Sequence, residues 1–144
     1  FITLDDRSGR IEASLFADAF ASNQALLQND ALVVVEGEVS NDDFSGGLRL
    51  RAKRVMSLEE ARTGLADSLR LKVTGEALKG DRLRWLAELC SKHKGACPVT
   101  VDYSGEQARA LLQFGDAWRI DPADTLIQAL RDQFGRDNVF LHYR

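Results

Sequence analysis

Apolar and polar residues alternate with a period of two at the start of the chain. Residues 10–16 carry apolar side chains at every second position, with charged or hydroxyl side chains between them, which is the pattern of a half-buried strand. The preceding segment, 6–9, has the composition of a tight turn, because Asp accepts hydrogen bonds from its own backbone and Gly tolerates a positive φ. With residues 1–4 as a first strand, the pattern predicts a β-hairpin.

A helix and a second hairpin follow. Apolar residues in 17–28 recur at helical spacing, and Asn29-Asp30 ends that pattern. Residues 31–40 include a continuous Leu-Val-Val-Val run, which is typical of a strand covered on both faces. The polar loop 41–47 then leads to an alternating strand at 48–56.

Strand, strand, helix, strand, strand is an order typical of the OB-fold, a five-stranded barrel that binds single-stranded nucleic acids or oligosaccharides. The strand missing from the predicted set is the first. We therefore expect a truncated barrel in a piece of a longer protein, with the missing strand upstream of Phe1. Unpaired edges should leave this barrel frayed or completed by another chain.

The second half is predicted to alternate strands and helices. In chain order, its predicted elements are a strand at 68–73, a helix at 81–94, strands at 97–104 and 109–114, a turn at 115–116, a helix at 121–134 and a strand at 138–143. Asp121 and Pro122 are the residue types of a helix cap and first helical position. Gly95 is expected at the C′ position after the first helix, and Gly135 after the second. The order β-α-β-β-α-β is that of a ferredoxin-like, split βαβ domain.

The predicted fold class is therefore mainly β plus α+β, a truncated OB-fold barrel followed by a ferredoxin-like small domain. Ser57 and Glu60 form a capping box that starts a short helix at the end of the barrel. We place an OB-fold domain at 1–62, a linker at 63–68 and the α+β domain at 69–144.

Composition limits the function of the chain. Its 144 residues are 44% hydrophobic, which suits one globular domain or two small ones. No apolar run of about 18 residues and no export signal is visible, so we expect a cytoplasmic protein. The net charge of −3 lacks the basic surplus of a strong nucleic-acid binder, so any such contact should be local and weak.

Motifs for catalysis or metal binding are missing from the sequence. It contains no phosphate-binding loop, nucleophile elbow or HExxH motif, so we expect no catalytic residue, cofactor or metal in this segment. The pairs Asp5-Asp6 and Asp42-Asp43 fall at predicted turns, where Asp has a structural role. Cys90 and Cys97 lack zinc-site spacing and are expected to be buried thiols.

Basic residues on the last barrel strand are candidates for nucleic-acid binding. Arg49, Arg51 and Lys53 are two residues apart and should project from one face, as the phosphates of a single strand require. Such a row can equally keep a strand soluble and protect it from edge pairing. Phe44, in the preceding loop, can either stack on a base or cover the barrel end. The candidate nucleic-acid-binding residues are Arg7, Arg10, Phe44, Arg49, Arg51 and Lys53.

Apolar residues of the second domain are candidates for binding a partner protein. Trp85 and Leu89 lie opposite the apolar stripe of their predicted helix, so they either contact a partner or are buried on a second side. Trp118 follows a Gly-Asp turn, where a large aromatic is an interface anchor or a core plug. The candidate partner-binding residues are Trp85, Leu89, Trp118, Phe140, Leu141 and Tyr143.

Four segments together resemble one protein family. Residues 4–10, 15–16, 39–47 and 114–119 are similar to the C-terminal end of the α subunit of bacterial DNA polymerase III. The similarity runs the length of the chain. The Asp-Asp-Phe-Ser-Gly-Gly loop and the Phe-Gly-Asp-Ala-Trp-Arg turn are its specific parts.

The resemblance implies that the parent chain is a DNA-directed DNA polymerase, a nucleotidyltransferase whose catalytic domains are not in this segment. It implies that the OB-fold lies near the single-stranded template. It also implies that the last domain binds the τ subunit of the clamp loader, through Trp118 and Leu141 in the matching turn and tail. The family's tail has also been discussed as a sliding-clamp motif. Residues 138–144 lack the starting Gln and paired terminal aromatics of such a motif, which argues against clamp binding here.

Two functional hypotheses follow. The chain is either a polymerase-targeting module or a general OB-fold nucleic-acid-binding module, such as a tRNA-anticodon-binding domain. An RNA reader should lose affinity when DNA replaces RNA, because it can use the 2′-hydroxyl. A template-handling barrel should tolerate DNA and show a shallow salt dependence.

Overall fold

The computed structural model of the chain describes residues 1–44 and 46–144, so Ser45 of the predicted 41–47 loop lies outside it. The chain forms two compact units, Phe1–Glu60 and Ala61–Arg144. Each unit contains one four-stranded sheet. The residues predicted as a linker, 63–68, lie at the end of a helix and the start of a strand.

The first unit is a mixed sheet with one short helix. Its elements are β1 (Ile2–Asp5), β2 (Arg10–Ser14), α1 (Ala17–Asn23), β3 (Val34–Asn41) and β4 (Leu48–Met56). The strand order is β1-β2-β4-β3, with β2 and β4 parallel and the two hairpins antiparallel. Leu50 and Ala52 of β4 and Ala13 of β2 are buried on one face. The described strands do not close into a barrel, which is consistent with the predicted truncated OB-fold.

Two boundaries in this unit differ from the prediction by three residues or more. α1 ends at Asn23 rather than at residue 28, because the Asn23 side chain donates to the Ala19 carbonyl and the chain turns directly afterwards. β3 begins at Val34 rather than at residue 31. Asp30 lies between them with a φ of 61°, a left-handed conformation that ends regular structure.

The second unit packs two helices on one face of its sheet. Together with the helix that precedes it, its elements are α2 (Leu58–Leu65), β5 (Ala66–Thr74), α3 (Arg82–Lys92), β6 (Lys94–Cys97), β7 (Val99–Ser104), β8 (Arg109–Gln113), α4 (Asp124–Phe134) and β9 (Val139–Tyr143). The helices and alternate strand residues share one buried core. Its members include Leu69, Leu71, Val99, Val101, Leu86, Cys90, Leu126, Ile127, Leu130 and Val139.

The α+β class is as predicted, and so is the order β-α-β-β-α-β for the strands of the sheet, to which the short β6 does not belong. The arrangement of the strands within the sheet, however, is not that of a split βαβ unit. The sheet runs β8-β7-β5-β9. β5 and β7 are direct parallel neighbours, while β9 pairs antiparallel with β5, and β8 with β7. A split unit would place another strand between the two parallel strands, so the ferredoxin-like arrangement is wrong in this respect.

Two predicted helix ends are confirmed, and both are formed by residues close together in the sequence. The Ser57 amide donates to Glu60 Oε2 at 2.8 Å and the Glu60 amide donates to Ser57 Oγ at 3.1 Å, which is the predicted capping box. Gly135 follows α4 with a φ of 93°, as predicted for a helix end.

The predicted start of α4 and the predicted role of Gly95 are wrong. α4 begins at Asp124, because the Asp121 amide donates instead to the His93 carbonyl at 2.7 Å and Pro122 is buried beside it. Gly95 belongs to β6 and not to a helix C-terminus. Tertiary contacts between the end of α3 and residues 119–121 therefore override the local cap chemistry.

Candidate functional site

The basic row of β4 lies on one exposed face of the first unit. Leu50 and Ala52 point into the core, and Arg49 and Arg51 alternate with them. Lys53 lies at a β-bulge, where the register shifts between Glu36 and Gly37 of the partner strand, and is also exposed. The predicted row is therefore brought together on one surface.

Carboxylates from the neighbouring strands neutralise most of this row. Arg49 lies opposite Glu12 of β2, and its Nη2 atom is 3.0 Å from Glu12 Oε1 and 3.3 Å from Asp42 Oδ2. Lys53 Nζ is 2.5 Å from Glu38 Oε1 of β3, and this hydrogen bond lowers the pKa of Glu38. These pairings could not be predicted from the sequence, because Glu12 and Glu38 reach the row only through the strand register.

Arg51 is the exception in the row. Glu38 is opposite Arg51 in the register but makes its ion pair with Lys53, and no carboxylate among residues 1–44 and 46–144 lies within ion-pair distance of Arg51. The Arg51 guanidinium lies 4.7 Å from the ring centroid of the half-exposed Phe16. A guanidinium on an aromatic face is attracted to the ring but keeps its hydrogen-bond donors available. Arg51 is therefore the cation of the row best placed to take a phosphate.

Arg7 and Arg10 flank the first turn at the edge of the same sheet. The Asp5 and Asp6 carboxylates accept the turn amides of Arg7, Ser8 and Gly9. Arg10 Nε donates to Asp5 Oδ2 at 2.7 Å, which is the main reason that the pKa of Asp5 is lowered. These carboxylates thus have the structural role expected of turn residues, and Arg10 is compensated by one of them.

Phe44 occupies the loop between β3 and β4. Its ring is 99% exposed, so it does not cover the end of the sheet. The Phe44 amide donates to Asp42 Oδ1 at 3.3 Å, and the Asp42 backbone pairs with Gly46 and Gly47. The same buried Asp42 also contacts Arg49, so it links the backbone of Phe44 to the basic row.

Two candidates in the second unit, Trp118 and Leu141, lie at one end of the helix-covered face of the sheet. Leu141 is opposite Leu69, Leu69 is opposite Val99, and the Phe114 amide donates to the Val99 carbonyl at 2.9 Å. The Trp118 ring packs on Phe114 with ring centroids 4.7 Å apart. Trp118 and Leu141 are both half-buried against the core, so each presents part of an apolar side chain to solvent.

The other candidates for partner binding are divided between different surfaces. Trp85 and Leu89 are half-buried on the core, and the Trp85 ring lies 6.1 Å from that of Phe134. Tyr143 is 53% exposed, two residues after Leu141 on the same strand. Phe140 points to the opposite face of the sheet, where Lys72 Nζ lies 4.9 Å from its ring centroid.

The thiols and carboxylates form no further chemical site in the part of the chain that the structure describes. Cys90 and Cys97 are free and buried, and burial raises the pKa of Cys90 to about 11. No group of three or more His, Cys, Asp or Glu among residues 1–44 and 46–144 is placed to hold a metal ion. No helix in the described ranges is both long and apolar enough to cross a membrane.

Comparisons with known proteins agree with this division into two parts. Residues 1–58 match the model of an OB-fold nucleic acid binding domain, and residues 85–135 match the C-terminal domain of DNA polymerase III subunit alpha. The whole chain is 77% identical to the DNA polymerase III subunit alpha of Pseudomonas aeruginosa over 144 residues. It is 42% identical to the same subunit of Escherichia coli K12 over 98% of this chain, and 38% identical to that of Vibrio cholerae over 99% of this chain. The chain spans 12% of the length of each of these relatives.

Proposed function

Because this chain belongs to the DNA polymerase III subunit alpha family as a segment of it, we propose that it tethers the polymerase within the bacterial replisome. In this proposal the second unit binds the τ subunit of the clamp loader and the first unit weakly binds single-stranded template. DNA synthesis is carried out elsewhere in the parent chain.

Support for the protein contact comes from the placement of Trp118 and Leu141. Both side chains lie at one end of one face of the second unit and are half-buried. Aromatic side chains that are fixed by packing and still partly exposed are the usual anchors of interfaces, because little side-chain entropy is lost when a partner covers them. This juxtaposition is the observation that carries the proposed τ contact.

Support for the template contact comes from the first unit. Its exposed Phe44 ring can stack on a base, which is worth about 1–3 kcal/mol, while the neighbouring cations take phosphates. Glu12, Glu38 and Asp42 already compensate two of the three cations in the row. The expected affinity is therefore low, with the shallow salt dependence of few phosphate contacts.

The τ contact is tested by surface plasmon resonance, with purified τ immobilised and the 144-residue chain as analyte. We expect saturable binding that persists when the salt concentration is raised, because an apolar anchor is not screened by ions. A chain that shows no saturable response up to about 100 μM, where binding would be worth less than about 5.5 kcal/mol, would overturn the tethering role.

Opposite changes in affinity are expected from Arg51→Ala and Glu38→Gln. Loss of Arg51 removes a phosphate contact, whereas Glu38→Gln releases Lys53 to make one. Each contact changes the slope of log affinity against log salt by about 0.7 for a single strand. Fluorescence anisotropy with oligothymidylate measures both slopes. If the two variants shift the slope in the same direction, the row does not contact phosphates.

Arg51 is preferred to Arg49 for this test because Arg49 has a structural task. Its guanidinium pairs with the buried Asp42 carboxylate, which also accepts from the Phe44 amide. Reversing its charge would disturb the loop as well as the candidate DNA surface. Lys92→Ala, on an exposed position of α3 in the second unit, is the matched loss of one cation and should leave the slope unchanged.

The match of residues 1–58 to a nucleic acid binding model favours a second candidate, a general OB-fold reader of RNA. A parallel titration with oligothymidylate and oligouridylate separates the two functions. We expect DNA to bind at least as well as RNA. A strong preference for the 2′-hydroxyl-bearing strand would favour the RNA reader.

A further inference from the structure

The helix-free face of the second sheet is a surface that the proposed τ contact does not use. α3 and α4 contribute to the core on one face, and the alternate strand positions point the other way. None of these positions is buried. The residues of this face are Ser68, Arg70, Lys72, Thr74, Thr100, Asp102, Ser104, Arg109, Leu111, Gln113, Phe140 and His142. We call it the open face.

The open face is basic although the chain as a whole is acidic. Its strand positions carry Arg70, Lys72 and Arg109 against the single carboxylate of Asp102, whereas the chain has a net charge of −3. Asp102 Oδ2 accepts from Arg70 Nη2 at 2.8 Å, so it compensates one of the three cations. The remaining two have no ion-pair partner among the described residues, and a surface of this sign attracts a polyanion.

Aromatic rings lie beside two of the cations, Arg70 and Lys72. Phe140 and His142 are two residues apart on β9 and therefore project from the same face. Phe140 is opposite Arg70 on β5, and Lys72 Nζ lies 4.9 Å from its ring centroid. Because His142 is exposed and Phe140 half-buried, two neighbouring rings with cations at one side are available to a ligand that has both flat bases and phosphates.

We propose that the open face binds single-stranded nucleic acid, at a site separate from the basic row of β4 in the first unit. Phe140 and His142 stack on successive bases, and Lys72 and Arg109 contact phosphates on the way across the sheet. With neighbouring strands about 4.8 Å apart and a rise of about 3.3 Å per residue, Arg109 lies about 14 Å across the sheet and, four residues along the register, about 13 Å along it from Phe140. The bound strand therefore crosses the sheet diagonally over about 19 Å. Four-stranded sheets with their helices on the other side bind RNA bases through aromatics in this way.

An acidic protein segment is the competing occupant, and the pairing of stacked rings with cations argues against it. A peptide carboxylate would be satisfied by the cations alone and would leave Phe140 without a specific contact. A nucleotide uses both kinds of group at the spacing that β5 and β9 impose.

The test is an anisotropy titration of fluorescent oligothymidylate with the 144-residue chain at several salt concentrations. The double variant Lys72→Ala/Arg109→Ala removes two exposed cations and is expected to reduce the log–log salt slope by about 1.4. Phe140→Leu keeps an apolar side chain at a half-buried position and is expected to weaken binding about five-fold or more, with Phe140→Tyr close to the original chain. The same losses should appear in an Arg51→Ala background, because the basic row of β4 is a different site.

Arg84→Ala/Lys92→Ala removes two exposed cations of α3, the helix that packs on the other face of the sheet, and serves as the matched control. Equal losses from this control and from the open-face double variant would overturn the proposal, since they would indicate only unspecific attraction. An unchanged titration in Phe140→Leu would also overturn it. So would open-face variants that impair τ capture but not oligonucleotide binding, because the face would then hold a protein.

Discussion

Replacing Trp118 with alanine is expected to abolish capture of the τ subunit while the chain stays folded. An aromatic anchor at an interface contributes about 2–4 kcal/mol, so binding should weaken roughly 30- to 1,000-fold. The side chain also packs on Phe114 and on the core. Because it is only half-buried, its loss should cost less stability than the about 3–5 kcal/mol of a fully buried ring.

Tyr103→Ala is the matched control for this prediction. Tyr103 is also a half-buried aromatic packed on the same core, but it lies opposite Val73 and Ala110 at the other end of the sheet. Urea unfolding should show similar losses of stability in both variants, whereas plasmon resonance should show loss of τ binding in Trp118→Ala alone. Equal loss of τ binding in the two variants would mean that Trp118 only stabilises the core and does not contact τ.

The sequence predicted those parts of the fold that are decided within a few residues. The strand at 48–56 has the predicted bounds, because Leu50, Ala52 and Val55 must be buried while the charged residues between them stay in water. The Ser57–Glu60 capping box forms for a similarly local reason. The alternation also placed Arg49 and Arg51 on one face.

Strand order could not be read in the same way. A β-α-β-β-α-β sequence is compatible with both a split and an unsplit βαβ unit, and the choice depends on which strand pairs with β5. In this chain Leu69 and Leu71 of β5 pair with Val99 and Val101 of β7. The pairing is decided by long-range packing of the two helices over these residues, for which single positions carry no signal.

Predicting the candidate sites would also have required the strand register. The charge of the basic row depends on Glu12 and Glu38, which are 37 and 15 residues from their partners Arg49 and Lys53. Phe140 and Leu141 are both candidates for partner binding in the sequence, yet Leu141 contributes to the helix-covered face and Phe140 to the open face. Acidic residues at alternate positions of the predicted neighbouring strands were the available signal for the first of these features.

Gly95→Ala is expected to destabilise the second unit by about 3 kcal/mol or more. A Cβ atom at this position would lie 2.5 Å from the Asp121 amide nitrogen and 2.6 Å from the Ile120 carbonyl carbon. Both are backbone atoms that cannot rotate away, so the cost should exceed the usual 1–3 kcal/mol of an overpacked site, and we put it at about 3 or more. Gly64→Ala in α2, where an added Cβ meets nothing within 4 Å, should instead be neutral or stabilise by about 0.5–1 kcal/mol.

The effect of Gly95→Ala should extend to τ binding because of what the close approach holds together. The Gly95 amide donates to the Arg119 carbonyl, the Asp121 amide donates to His93, and the fully buried Ile120 lies between them. These bonds fix the end of the turn that carries Trp118. Urea unfolding of both glycine variants measures the first effect, and τ capture under native conditions measures the second. Gly95→Ala with stability within about 1 kcal/mol of the original chain would show that residues 119–121 can move away from β6, and Trp118 would then not be a preorganised anchor.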